Sequence, residues 1–540
     1  MSWTASVATR SDALKALLLA AWLWLPSWAV LNTDHVQGAS DALALLAFSL
    51  LLLAAPLVLA PGVRRYFLLW TPLALLAGPY CYLTLAYGSV PGDALLSSAL
   101  NTGLAMSAQV LASFGWKLWL VPLSLLLYLW LAFSISPGWR LDTAARKRLL
   151  ACCLMPVMLA LVARQAVGHA VRLPPLLEQS TINLAFPSGL AASLWRVIGY
   201  ERAIAGAGFA SVQGRSIVGD TPMLVVLVVG ESLRSDHLGI NGYARNTTPG
   251  LAALGPQLLS FPDVASTANW TGYAMPAIVS HATGKQRATL VPTFREAGFR
   301  TAWLSNQEVS VYGASAEVRE YARNSMDFHL RTDDNLLPMF TSFVRQAGPR
   351  QFLVLHMIGS HIPYEERYSG ASRVFHPTLS DAGVDNPLPK NKAEAINSYD
   401  NTVVETDRFL ARMIAVLQAE QRPAVLVFTS DHGENLFDDQ RQLFMHAQPG
   451  PTRYDTHVPL LVWMNAAYRR AYPAVVAALQ ANRAKPVGHA SMFASVLELG
   501  AVAWQGSDAR ASFASPMYQP GPRPVTLELS GPSAPYESLK

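Results

Sequence analysis

The N-terminal third of the chain carries five long, almost uncharged apolar runs, and no water-soluble core of ordinary size could bury them all. They are Ala13 to Leu31, Ala42 to Ala60, Tyr66 to Tyr87, Trp116 to Ser136 and Leu149 to Val167. Each is long enough to cross a hydrocarbon layer of about 30 Å as a helix. The first is longer than the apolar part of a signal peptide and further spans follow it, so an uncleaved anchor is expected. After Gly168, charged residues, histidines and turn residues recur at the density of a soluble domain. The whole-chain averages, 51% hydrophobic and 14% charged, therefore mix two unlike regions.

Basic residues orient the spans. Arg10 precedes and Lys15 begins the first run, Arg64 and Arg65 join the second to the third, and Arg140, Arg146, Lys147 and Arg148 join the fourth to the fifth. The connections Asn32 to Asp41 and Gly88 to Gly115 contain no Lys or Arg. Every second loop is basic, which predicts a cytoplasmic N-terminus and, with five spans, an exported C-terminal domain. In a bacterium this is a multi-pass inner-membrane protein with its large domain in the periplasm. Leu95 to Phe114 is apolar enough to be a sixth span. Its Ser97, Ser98, Asn101, Thr102 and Gln109, set against Leu96, Leu100, Leu104 and Leu111 at helical spacing, instead predict an interfacial amphipathic helix near 93–114. Cys81, Cys152 and Cys153 all fall in membrane runs, so the exported domain has no disulfides. The net charge of +5 owes part of its excess to the inner loops, and nothing resembles a nucleic-acid patch.

The expected organisation is a transmembrane domain over 1–167, a connector over 168–220 with a helix around Leu190 to Tyr200, a catalytic domain over 221–513 and a loosely ordered tail over 514–540. Strand candidates recur at Met223 to Val229, Thr301 to Leu304, Gln351 to His356, Ala424 to Thr429 and Val458 to Met464. Helical patterns such as Ala393 to Gln418 and Tyr472 to Asn482 lie between them. This alternation predicts an α/β domain with a mainly parallel sheet, whose ligand site lies at the carboxyl ends of the strands.

Three strand ends carry the right chemistry. The first leads into Glu231, within "LVVLVVGESLRSDHLGINGY"; the second is "LHMIGSHIPY", with His356 and His361; the third is "VLVFTSDHGEN", with Asp431, His432 and Glu434. Oxygen and imidazole donors without thiols suit zinc or a similar divalent ion. Asp431 and His432 can supply two ligands from one turn, with Gly433 letting the chain bend near the metal; alternatively Asp431 caps a helix. Glu231 needs a cation to offset its desolvation. Asp236 and His237 are expected to be a cap and an exposed histidine. Thr271, in "FPDVASTANWTGYAMPAIVS", stands where a polar loop enters a helical pattern. There it is either a nucleophile for phosphoryl transfer or only an N-cap.

The stretches Val228 to Pro249, Leu355 to Tyr364, Asn397 to Leu410 and Thr429 to Asn435 resemble the membrane-bound phosphoethanolamine transferases of the alkaline phosphatase and sulfatase superfamily, which include the mobile colistin-resistance enzymes. The resemblance implies an alkaline phosphatase/sulfatase-like fold beneath five spans, and a monomer. It implies Zn2+ held by Glu231, Thr271, Asp431 and His432, with Thr271 as nucleophile. It places His361 and His446 at the phosphoryl group or leaving oxygen, and Ser98 and Thr102 toward a lipid head group. The implied donor is phosphatidylethanolamine, met among membrane lipids, and the acceptor is lipopolysaccharide (lipid A or a core sugar) or another envelope glycan. Added amines would reduce the envelope's negative charge and its binding of cationic peptides such as polymyxin.

The chain departs from the lipid A-modifying pattern in the nucleophile segment. Ser266-Thr267-Ala268-Asn269 stands where that branch resembles Ser-Cys-Gly-Thr, which puts Asn269 in the nucleophile column. The branch that modifies core heptose places threonine two positions later, at Thr271; Thr267 is the fallback. Met106 replaces a glutamate expected one turn beyond Thr102. The rival functions are a phosphoglycerol transferase, a related phosphodiester hydrolase, or an inactive envelope sensor or scaffold that keeps the fold. The sulfatase reading lacks a Cys-x-Pro-x-Arg formylglycine signal, because no cysteine lies in the exported domain.

Overall fold

A computed structural model of the chain describes residues 9–540 except 102–110, 112–113, 156–178 and 323–331 and the isolated positions 34, 37, 89, 153, 207, 284, 285, 308, 309, 347, 449, 528, 530 and 531. The chain divides into two compact units. One comprises Met1–Leu96, Leu111–Ile198 and Arg441–Leu443; the other comprises Ser97–Val110, Gly199–Gln440 and Phe444–Lys540.

The first unit is helical. Its elements include α1 (Arg10–Val30), α2 (Ala39–Ala54), α3 (Val63–Leu69) and α4 (Thr71–Tyr87). After α5 (Asp93–Asn101), which runs across the division between the units, comes α6 (Leu120–Phe133). Thr9 and Asp12 form a capping box at the start of α1, and Asp12 also accepts from Ser136 N–H at 3.0 Å and Ser136 Oγ at 2.8 Å. Leu19, Leu23, Leu53, Phe67 and Tyr128 pack into one apolar core. Among the described residues, three helices are long and apolar enough to cross a membrane, or four if α3 and α4 count as one. That pair corrects the expectation of a continuous third span: it bends by 55°. Pro72, in the first turn of α4, lacks the N–H that would continue the ladder across the bend. The expected fifth span falls mostly outside the described residues, as does the second half of the expected interfacial helix. The connector helix is α7 (Ser188–Gly206).

The second unit is built on a seven-stranded sheet. Its strands are β1 (Met223–Gly230), β2 (Leu258–Phe261), β3 (Arg300–Ser305), β4 (Val318–Tyr321), β5 (Arg350–His356), β6 (Ala424–Ser430) and β7 (Leu460–Met464). The spatial order is β2-β7-β6-β1-β5-β3-β4. The strands from β6 through β4 run parallel, and β7 pairs antiparallel with both β6 and β2. The five strands read from the sequence are all present; β2 and β4, at the edges, are additions. Met223 to Val229 are without exposure, as expected of a parallel strand covered on both faces. Val225, Leu227 and Val229 join a core with Met275, Ile278, Phe294 and Val496.

The terminal stretch from Ala514 is a second correction. Its Pro and Ser content suggested loose order, yet Pro524–Thr526 pairs with Ser533–Pro535, and Tyr518, Val525 and Tyr536 are buried. The tail has apolar anchors spaced among its prolines, and burial of those anchors offsets the ordering of the chain between them.

Candidate active site

The turn after β1 is held from three sides. Ser232 lies at φ +58°, left-handed and uncommon for a residue with a Cβ, and its N–H reaches Asp431 Oδ1 at 3.3 Å. Leu233 N–H donates to Ser430 Oγ at 2.8 Å. Tyr399, on the helix Lys392–Gln418, donates its hydroxyl to Ser232 O at 2.6 Å. Glu231 is thereby fixed with no exposure. Gly359, at φ +48°, passes so close that a Cβ would lie 2.7 Å from Glu231 O and 2.8 Å from Glu231 N, so only glycine lets the β5 loop approach.

The parallel register of β6 with β1, ending at Ser430 opposite Gly230, brings Asp431 and His432 beside Glu231. His432 Nδ1 donates to Gly433 O at 2.8 Å. Its Nε2 lies 3.1 Å from Glu231 Oε1, 3.5 Å from Asp431 Oδ2 and 3.5 Å from Thr271 Oγ1. Thr271 is the first residue of α8 (Thr271–Val279), and its hydroxyl lies 3.2 and 3.1 Å from the two Glu231 oxygens. Trp270 precedes the helix without a side-chain cap. Gly433 serves a purpose other than the one expected. A Cβ there would meet Tyr454 O at 2.3 Å, so the glycine admits a neighbouring backbone instead of a bend around a metal.

The electrostatics of this cluster are unbalanced. Burial works against charge on Glu231, yet the His432 hydrogen bond and charge hold its carboxyl well below the ordinary range. Burial and the Glu231 charge push Asp431 up. Burial opposes charge on His432 too, but Asp431 and Glu231 outweigh it and push the imidazole up to about 10. A proton on His432 thus partly offsets two buried carboxylates, a task a divalent cation does more completely. The residues present fit such an ion. Glu231, Asp431 and His432 each offer a ligand atom within 4.8 Å of the others. Asp431 Oδ2 is buried without a hydrogen-bond partner among the described residues. Oxygen and imidazole donors match zinc.

His361 and His446 face the same place. One donor atom from each of Glu231, His361 and His446 lies within 4.8 Å of the others, and the His446 ring centroid is 4.2 Å from that of His432. His361 Nδ1 is 2.6 Å from Ile362 O. His446 Nδ1 is 3.2 Å from Glu434 Oε1. Burial pushes His361 down to about 4 and His446 down to about 3, so both are neutral at pH 7. Burial pushes Glu434 up to about 8, so its carboxyl keeps a proton at pH 7 with which it can donate to His446 Nδ1.

The other sequence candidates lie elsewhere. Asp236 accepts from Arg234 at 2.9 and 2.6 Å, and His237, expected on the surface, is buried 2.6 Å from Asp400. The His356 ring is buried edge-on to Trp303, with neither nitrogen hydrogen-bonded among the described residues. Thr267 Oγ1 is likewise buried and unpartnered among them. Asn269 turns away from the cluster, donating to Asp455 Oδ2 at 2.9 Å. Ser98 is half-buried on α5, and Thr102 and Met106 lie outside the described residues. Gln307 was missed: it donates to Glu231 Oε2 at 2.8 Å and to Met357 O at 2.6 Å. Its one sequence signal is its place just after β3.

Fold and cluster together define an alkaline phosphatase-like α/β domain on a mixed, mostly parallel sheet. The Sulfatase family matches residues 223–502, just over half of the chain, and the protein belongs to that family. It is 27% identical over 277 residues to phosphoethanolamine transferase EptC of Escherichia coli K12, a match covering 47% of each chain. The chain spans about half the length of the curated EptC and CptA relatives it matches. The integral membrane protein lipooligosaccharide phosphoethanolamine transferase A (EptA) of Neisseria meningitidis is similar at a TM-score of 0.75 and 24% identity, over 93% of this chain and 98% of that one. The periplasmic domain of EptC from Escherichia coli, solved in complex with Zn, is similar at a TM-score of 0.55 and 22% identity, over 62% of this chain and 98% of that one. At these identities the two structures establish a shared fold. The resemblance read from the motifs is borne out: the relatives are phosphoethanolamine transferases, an enzyme family with integral membrane members.

Proposed function

We propose that the protein is a zinc-dependent phosphoethanolamine transferase, anchored in a bacterial inner membrane with its α/β unit in the periplasm. It moves phosphoethanolamine from phosphatidylethanolamine, through an ester on Thr271, to lipid A, a core sugar or another envelope glycan. The observation that carries this reading is the Thr271 hydroxyl, set at the start of α8 and 3.1 to 3.2 Å from both Glu231 oxygens.

Glu231, Thr271, Asp431 and His432 would hold the zinc, which when bound eases deprotonation of an oxygen ligand and offsets charge on phosphoryl oxygens. In the first step Thr271 Oγ1 attacks phosphorus, the Oγ1–P bond forms and the P–O bond to diacylglycerol breaks. The threonine proton, directed toward Glu231, is balanced by the one the departing diacylglycerol gains. Uncapped N–H groups at the start of α8 favour the phosphoryl charge. In the second step the acceptor oxygen attacks phosphorus, the Oγ1–P bond breaks and the acceptor's proton returns to Thr271. His361 and His446, kept neutral by burial, are suited to carry it. Anchoring raises the effective concentration of a lipid donor.

Asn269 does not favour the inactive-scaffold reading, because it is Thr271 that faces the cluster. The protein in phosphatidylethanolamine liposomes should release diacylglycerol, lose this on Thr271→Ala or chelation, and regain it with zinc. Release from phosphatidylglycerol alone would replace the donor. Release from neither lipid would overturn the reading.

A further inference from the structure

The loop that carries His446 is held in an unfavourable backbone. Met445 and Ala447, on either side of the histidine, lie at φ +69° and +60°, a left-handed region that residues with a Cβ rarely occupy. Such a conformation persists only where the surroundings impose it. The surroundings here converge on Asp455, which is without exposure and belongs to neither the ligand cluster nor the histidine pair.

Asp455 accepts from three directions. Its Oδ2 takes Asn269 Nδ2 and Asn435 Nδ2, both at 2.9 Å, and its Oδ1 takes Thr452 N–H at 2.7 Å. Its main-chain oxygen takes Gly433 N–H at 2.9 Å, from the residue after His432. The two asparagines then grip the His446 loop. Asn435 O accepts Met445 N–H at 3.0 Å, and Asn435 Nδ2 reaches Met445 O at 2.8 Å. Asn269 O accepts Ala447 N–H at 2.9 Å, and Asn269 Nδ2 reaches Gln448 O at 2.9 Å. Asn269 stands two residues before Thr271, so one residue, by its carboxylate and its main-chain oxygen, ties the Thr271 loop, the His432 turn and the His446 loop together.

We propose that Asp455 is a positioning residue: through Asn269 and Asn435 it locks His446 and Thr271 into a common frame. This rests on the reading that both residues act in phosphoryl transfer. A carboxylate is required because every polar hydrogen around it points inward; an asparagine would turn a donor toward another donor. The arrangement also gives Asn269 a purpose in a column where it cannot be a nucleophile.

Hydrogen–deuterium exchange on the full-length, zinc-loaded protein reads positioning without turnover. Asp455→Asn should speed exchange about tenfold or more in 266–273 and 442–448 while β1 stays unchanged. Unchanged exchange in both loops overturns the proposal, as does a rise that extends equally to β1. Asn435→Ala removes the side-chain bonds to Met445 O, Asp455 Oδ2 and Thr452 Oγ1 but leaves the Asn269 arm in place, and should open 442–448 without 266–273; it decides the matter if Asp455→Asn does not fold. In turnover, Asp455→Asn should lower kcat by about tenfold to a hundredfold with KM within about threefold. In a His446→Ala background the same change should cost less than it does in the wild type, because only the Thr271 arm is left to lose, and additive losses overturn the proposal. A wild type without transfer would instead defeat the functional reading, leaving exchange to decide the positioning.

Discussion

Leu17, Leu43 and Trp130 of the N-terminal unit are 68%, 69% and 64% exposed, whereas Met223 to Val229 of β1 are 0% exposed. Both sets come from comparably apolar stretches. An outward apolar surface on that scale is intolerable in water and ordinary against hydrocarbon, so the two units are folded for two solvents. The polar groups differ in the same sense. Asp12 sits at a helix end, bound to Ser136 and its own cap. Glu231, Asp431 and His432 are instead driven into full burial at strand ends. The first unit buries its carboxylates singly, Asp12 against a cap and Ser136 and Asp93 against Arg196, whereas the second gathers several ionisable groups at one place.

The largest effect should come from the concentrated charge. Glu231→Gln removes one of the two buried carboxylates, and should cost about a thousandfold or more in head-group transfer, roughly 4 kcal/mol of barrier, together with bound zinc measured by elemental analysis. Retained zinc and activity would mean that Glu231 is not a ligand.

Next in size, Leu227→Ala in β1 should destabilise the α/β unit by about 3 kcal/mol, because the lost side chain leaves a cavity in a packed core. Leu43→Ala on α2 should cost less than about 0.5 kcal/mol, since lipid tails are as apolar as leucine. Equal losses from the two leucines, measured by detergent-solubilised unfolding, would break the contrast between the units.

A somewhat smaller effect should appear in the pH dependence of stability. Burial pushes Asp333 up to about 6, although Ile358 N–H, Asn306 Nδ2 and Gly359 N–H all donate to it. A carboxyl raised in the folded state contributes stability that is full below its unfolded value and lost as pH rises through its folded value. Melting across pH 4 to 7 should therefore show a loss on the order of 2 to 3 kcal/mol between about pH 4 and 6. Asp333→Asn should flatten that slope, and an unchanged slope would remove Asp333 from the account.

Much of this was legible because apolar runs report both spans and central strands. β1, β5 and β6 announce themselves, and the residues just after them are where a parallel sheet presents ligands. The edge strands were not legible: β2 is four residues long, and β4 carries Arg319 and Glu320, so neither shows a sustained apolar run. Asp455 and Gln307 were missed for a different reason. Their roles depend on partners far away in sequence, Asn269 and Glu231, and local pattern carries no trace of such pairings. The bend between α3 and α4 was missed because hydropathy is blind to direction.

The most direct test is intact-protein mass spectrometry of the zinc-loaded protein after incubation with phosphatidylethanolamine, beside Thr271→Ala. The account predicts a gain of one phosphoethanolamine group on the wild type alone, mapped to the peptide that contains Thr271. The same gain on Thr271→Ala, or an adduct mapped to Thr267, would contradict it.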